Sequence, residues 1–208
     1  MNSYVETIRL EGGRFHLLAL HQARMEATVR EVYGEEAAGS IGQIAETLSD
    51  IAPGSGCFKC RVVYDSEIRL VEVLPYSPRA VRSLRVVEAP GELDYHLKSC
   101  DRSELAALSA MKGDCDEVII VRDGLITDTS YTNLVFIGED GMYTPRRPLL
   151  RGVMRESLLE AGVIREADLR LEDIRPGNRL GIRTVALINA LLPLGRGPEV
   201  EVGEGLFE

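Results

Sequence analysis

No apolar run in this chain is long enough for a membrane helix. The longest nearly unbroken one, VALINALLPL from Val185 to Leu194, falls far short of the roughly 20 residues a span needs. Cysteine is also scarce. Among the four cysteines there is a single C-F-K-C, Cys57 and Cys60, with no second pair at zinc-site spacing. The alternation of CFKCRVVYD puts those two thiols on opposite faces of a strand, so packing accounts for them better than a metal or redox site. Basic residues are outnumbered, 24 Lys and Arg against 33 Asp and Glu for a net charge of -9, which argues against nucleic acid or an anionic membrane as partner. The opening MNSYVETIRLEGGR lacks a basic start followed by an apolar core, so no signal peptide is expected and the cytoplasm is the default compartment. Also missing are a G-x-G-x-x-G after a strand, a phosphate-binding G-x-x-x-x-G-K-[ST], a G-x-S-x-G and an H-E-x-x-H. Fixed-period repeats, heptads and low-complexity tracts are missing too.

What is present is an ordinary globular composition, 45% hydrophobic and 27% charged over 208 residues, enough for a buried core and for two domains. Residues 4–10 alternate as a strand. EGGRF turns into a helix carrying Leu20, Ala23, Ala27 and Val32 and ended by Gly34. Ile41, Ile44, Ala45, Leu48 and Ile51 recur at three and four residues, which predicts a second helix stopped by Pro53-Gly54. The period then drops to two in CFKCRVVYD, EIRLVEVLPY and SLRVVEA, three strands with a tight Asp65-Ser66 turn between the first two. The Pro90-Gly91 break sets the expected division, 1–90 and 91–208. Beyond it come a short helix opened by an N-cap-like Ser103 and ended at Gly113, a strand meander containing EVIIV and NLVFI, a helix over GVMRESLLEAG, and further strands.

Between EVIIV and NLVFI lies a polar knot, Asp128 to Asn133. Asp128 reads either as an Asx-type turn bonding its own backbone or as a carboxylate aimed at a cationic nitrogen. Lys98 reads as a solvated lysine or as a reactive amine. Gly152 stands where a helix begins, so the amides of Val153 and Met154 either go uncapped or hold a phosphate. Arg24 is either solvated or a guanidinium fork on a phosphate. As a set, an amine, a carboxylate, a helix amide cradle and an arginine suit pyridoxal 5′-phosphate.

The wording around these residues resembles the class IV aminotransferases, the fold-type IV pyridoxal-phosphate enzymes. ETIRLEGGRFHLLALHQARMEAT is similar to the family opening with its H-x-x-R, which implies that Arg24 is a phosphate ligand. LKSCDRSEL resembles the K-x-x-N-R segment, which makes Lys98 the catalytic lysine that binds the cofactor's aldehyde. ITDTSYTNLVF resembles E-x-x-x-x-N-[LI]-F, with Asp128 at the glutamate position and Asn133 at the asparagine. YTPRRPLLRGVMRESLLE resembles the T-P and G-[IV]-x-R segments, which assigns Gly152, Val153 and Met154 to the phosphate. INALLPL, with Asn189, is similar to the N-A-L-x-P-[LV] of 4-amino-4-deoxychorismate lyases. The resemblance implies an α+β, two-domain fold like that of D-amino acid aminotransferases: a small N-terminal α/β domain and a larger, mostly β C-terminal domain with flanking helices. It also implies a homodimer acting on a small amino substrate. The expected reaction is release of pyruvate and 4-aminobenzoate for folate synthesis, with transamination of branched-chain or D-amino acids as the alternative and a non-catalytic binding role behind both. Three departures stand out: a chain shorter than the family's usual length, Asp101 in place of the asparagine after the lysine, and Asp128, one methylene shorter than glutamate.

Overall fold

Alternation in the first strand, β1 (Tyr4–Glu11), sends Tyr4, Glu6, Ile8 and Leu10 to one face. The computed structural model describes residues 2–51, 54–203 and 206–207. They form two compact units, one of Met1–Ser77 with Leu97–Asp101, the other of Pro78–His96 with Arg102–Glu208. Where the sequence suggests a division at residue 90, the chain thus leaves the first unit after Ser77 and returns to it for 97–101.

In the first unit β1 pairs with the short β2 (Arg14–Phe15) and, along its whole length, with β3 (Cys57–Tyr64), which pairs with β4 (Ile68–Pro75). The sheet is antiparallel, in the order β2-β1-β3-β4. Its core face, with Tyr4, Ile8, Cys60, Val62 and Tyr64, packs against Met25 and Val29 of α1 (Leu18–Tyr33). Gly34, at φ 92°, ends α1 as expected. The inner stripe of α1 is not the expected one. His21, Met25, Thr28 and Val29 are buried, while Ala23, Ala27 and Val32 face solvent. The helix predicted over 41–51 is replaced by α2 (Glu35–Ser40) and a single turn, α3 (Ile44–Thr47). Ile41 is extended between them, and Gln22 Oε1 accepts the Ile44 amide at 2.8 Å. Ile41, Ile44 and Leu48 are nonetheless buried; Pro53 lies outside the described residues.

The second unit holds two more sheets. β5 (Leu84–Glu88) joins neither β3 nor β4. It runs parallel to β6 (Glu117–Arg122), whose partner on the other side is β7 (Leu125–Ile126). That sheet has the order β13-β5-β6-β7, with β13 spanning Leu206–Phe207. The hairpin from β6 to β7 turns at Asp123 and Gly124, φ 54° and 72°, the positive pair a two-residue turn of this hand requires. β8 (Asn133–Gly138) opens the other sheet, ordered β10-β9-β8-β11-β12, with β9 at Gly141–Pro145, β10 at Arg165–Ala167, β11 at Thr184–Ile188 and β12 at Glu199–Glu201. EVIIV and NLVFI therefore do not form one meander; the polar knot is where the chain passes from one sheet to the other. Ile119, Val121, Leu134, Phe136, Val185 and Leu187 from both sheets share one core. The other face of β6 packs Val118 and Ile120 with Leu105 and Leu108 of α4 (Ser103–Ala110). β6 is thus buried on both faces, which is why it reads as an unbroken apolar run. The helix over GVMRESLLE is α5 (Val153–Glu160).

Candidate active site

The polar knot bonds largely to itself. Thr129 Oγ1 accepts the amides of Tyr131 and Thr132 at 3.2 and 2.9 Å and meets Thr132 Oγ1 at 2.7 Å. Arg102 Nη2 donates to the Ser130 carbonyl at 2.6 Å. Where the chain enters the knot, Thr127 and Asp128 stay paired with β6: the Ile120 amide donates to the Asp128 carbonyl at 2.8 Å. The carboxylate of Asp128 is buried and bonds a side chain at the end of the knot and a backbone amide beyond it. Its Oδ1 accepts Asn133 Nδ2 at 2.8 Å and its Oδ2 accepts the Leu150 amide at 3.0 Å. Burial nevertheless pushes its pKa up to about 6, against the opposing pull of those donors and of the Arg155 charge.

Asn133 also donates to the Leu150 carbonyl at 2.8 Å, so one carboxamide binds the start of β8 both to Asp128 and to the approach of α5. Gly152 follows Leu150 by two residues and is the N-cap of α5. Helix geometry leaves the first-turn amides of Val153 and Met154 without partners inside the helix, at the positive end of its dipole. Arg155, buried on α5, donates from Nη2 to the Pro145 carbonyl at 2.9 Å and to Glu166 at 2.6 Å, tying the helix to β9 and β10. Asp128, Asn133, Gly152, Val153 and Met154 thus come together in the second unit. Asn189 is tied to the same knot by its side chain. Its Oδ1 accepts the amides of Leu191 and Leu192 at 2.9 and 3.1 Å, and its Nδ2 donates to the Tyr131 carbonyl at 3.3 Å; it is a turn-former first.

The other two expected residues belong to the first unit. Lys98 is partly buried, with its segment laid along β1: the Val5 amide donates to the Lys98 carbonyl at 3.0 Å and the Cys100 amide to Ser3 at 2.8 Å. Arg24 is mostly buried and grips Glu6, with Nε on Oε1 at 2.9 Å and Nη2 on Oε2 at 2.5 Å. His21 Nδ1 meets the same Oε2 at 2.6 Å. Burial alone would raise the Glu6 pKa, but Arg24 and His21 bring it down to about 2. Burial lowers that of His21, and the charges of Arg24 and Lys98 add to the effect. The ionised Glu6 therefore accepts from Nδ1–H of a neutral imidazole.

Glu6 and His21 are absent from the sequence-based expectations. The strand register of YVETIRL held a signal for Glu6, because it places an acid among Tyr4, Ile8 and Leu10 on the core face. Arg155, in the G-V-M-R wording, offered only its place on the helix. Among the described residues no cluster of three or more His, Cys, Asp or Glu could hold a metal, and no helix is long and apolar enough to cross a membrane.

Residues 3–196 match the profile of the amino-transferase class IV family. An uncharacterized protein of Haemophilus influenzae is 33% identical over 186 residues, 89% of this chain and 96% of its own length. A solved structure from Haemophilus somnus, provisionally labelled a 4-amino-4-deoxychorismate lyase, has a TM-score of 0.82 at 28% identity, covering 95% of this chain and 98% of that one. A provisionally labelled amino-acid aminotransferase from Mesorhizobium loti shares the fold, with a TM-score of 0.70 at 23% identity over 97% of this chain and 98% of its own. With the match running over almost the whole chain, this protein belongs to the class IV aminotransferases, whose cofactor is pyridoxal 5′-phosphate.

Proposed function

We propose that the chain acts on a small amino substrate as a 4-amino-4-deoxychorismate lyase, releasing pyruvate and leaving 4-aminobenzoate, and that it works as a homodimer. The residues present fit the family's cofactor. Asp128 is a buried carboxylate with both oxygens already oriented by donors, suited to accept a ring N–H and keep it protonated. The N-terminus of α5, entered through Gly152, offers amides and a positive dipole end to a phosphate. Arg24 offers a guanidinium to the same group, and Lys98 offers the primary amine.

When bound, pyridoxal phosphate supplies the electron sink that stabilises negative charge beside the substrate nitrogen. The protein's own part is positional. Lys98 would hold the cofactor through its primary amine, and the same amine would be the base that moves the substrate's proton. Asp128 would hold the ring proton. Arg24 and the amides of Val153 and Met154 would hold the phosphate.

The observation that favours a lyase over a transaminase is the Asn189–Leu192 turn, whose I-N-A-L-L-P-L wording resembles that of the lyases and whose Asn189 donates to the Tyr131 carbonyl of the knot. The likeness to the Haemophilus somnus protein points the same way. The test is to supply purified protein with pyridoxal phosphate and follow pyruvate release from aminodeoxychorismate beside a panel of keto acids. Pyruvate release that disappears in Lys98→Ala supports the proposal. Amino-group exchange with a keto acid and no pyruvate from aminodeoxychorismate overturns it in favour of a transaminase.

A further inference from the structure

Glu6 lies on the core face of β1, fully buried, and three short contacts end on its carboxylate: Arg24 Nε at 2.9 Å, Arg24 Nη2 at 2.5 Å and His21 Nδ1 at 2.6 Å. Both donors come from α1, three residues apart, so one carboxylate spans successive positions on the same helix face. Packing alone does not call for this arrangement. An apolar residue at position 6 would match Tyr4, Ile8 and Leu10, and exchanging a buried ionic group for well-packed apolar ones is often neutral or stabilising. What the carboxylate does provide is direction. A guanidinium is planar, and a carboxylate that takes its Nε–Nη2 edge in two parallel bonds sets the plane in which every other N–H of that group points.

We infer that Glu6 and His21 are positioning residues of the phosphate clamp: Glu6 fixes the plane of Arg24 before the phosphate arrives, and His21 fixes Glu6. The inference rests on the proposal above that Arg24 contacts the cofactor's phosphate. The charge balance follows from the same contacts. Glu6 is an anion, Arg24 a cation, and burial keeps His21 neutral. The three together carry no net charge, so Arg24 recognises phosphate by directed N–H groups rather than as a bare positive charge. Lysine at position 24 would keep the charge and lose the fork.

The experiment compares binding of pyridoxal phosphate and of pyridoxal, which lacks the phosphate, to the apoprotein, following the absorbance of the bound cofactor. The readout is the ratio of the two dissociation constants. Arg24→Gln is expected to lower the preference for the phosphorylated form at least tenfold. Glu6→Gln is expected to lower it at least fivefold, and the double variant no further than Arg24→Gln alone. If Arg24→Gln leaves the preference intact, the phosphate reading of Arg24 fails and the positioning role fails with it. If Arg24→Gln abolishes the preference while Glu6→Gln keeps it, the phosphate reading stands and the positioning role is overturned. Should Glu6→Gln not fold, Arg24→Lys decides: a loss as large as that of Arg24→Gln supports directed recognition, and a preference within twofold of wild type refutes it.

Discussion

Gly152 and Asn133 share one small space: a β-carbon built on Gly152 would collide with the Oδ1 of Asn133. The carboxamide it would strike is the one that holds Asp128 and the Leu150 carbonyl. Any side chain at 152 therefore disturbs the acid through the asparagine, without touching the acid. Gly152→Ala is expected to cost about 2 kcal/mol of stability as an overpacked buried site and to weaken cofactor binding as well. Urea unfolding of the apoprotein and cofactor titration measure the two effects; a variant that loses neither would show that Asn133 moves aside freely.

Removing the carboxamide instead leaves its two acceptors bare. Asn133→Ala should destabilise by about 2 kcal/mol, since buried acceptors lose their donor. Because Asn133 is among the groups that lower the Asp128 pKa, its loss should raise that pKa above 6. The pH dependence of cofactor affinity in the variant, displaced upward relative to wild type, is the check.

Asp128 sets the sign of one pH effect. Its folded pKa, about 6, lies above the ordinary 3.8. Between those values the folded state binds more protons, so the group's contribution to stability is full below about 4 and is lost as pH rises through 6. A ring N–H bound to the carboxylate favours its ionised form. The affinity of wild type relative to Asp128→Asn should therefore fall as pH drops through 6 and approach parity below it. A ratio that stays flat from pH 5 to pH 8 would mean that Asp128 does not meet the ring.

Glu6 acts in the opposite sense. Its pKa of about 2, against 4.5 in the unfolded chain, gives stability that is present above 4.5 and lost as pH falls toward 2. Glu6→Gln, which strands Arg24 without its anion, should cost about 3 kcal/mol at neutral pH. The gap from wild type should narrow on acidification, as followed by thermal melts across the acid range.

Arg155→Met keeps the volume of a buried side chain but removes the bonds to Pro145 and Glu166. It should lower stability by about 2 kcal/mol and, since the Arg155 charge also lowers the Asp128 pKa, push that pKa up. Denaturant midpoints and the pH profile of cofactor binding separate the two effects.

How far these features are legible in the sequence depends on the residue. The span of α1 and its stop at Gly34 are readable, because a glycine at positive φ marks a helix end whatever surrounds it. Its buried face is not. Hydropathy turns His21 and Thr28 outward, and the structure buries them because Glu6 partners the histidine and Thr28 Oγ1 donates to the Arg24 carbonyl at 3.0 Å. The apolar spacing of 41–51 correctly marks Ile41, Ile44 and Leu48 as core, yet the backbone reaches those contacts through two short helices and an extended residue. EVIIV and NLVFI are readable as strands, but their membership of different sheets is not, because local pattern does not name a strand's partner. At the candidate site, the motif wording picks out Asp128, Asn133 and Gly152. The collision that makes glycine necessary exists only once β8 and α5 are brought together.

The stretch Leu97–Asp101 is part of the first unit although the chain on either side of it is part of the second. A gene cut after Ser77 would deprive β1 of the backbone that covers Ser3 and Val5 and would leave Lys98 on the other fragment. Recombination between relatives must therefore respect three junctions rather than one. A graft of the second unit onto a foreign partner has to carry a five-residue piece of the first with it.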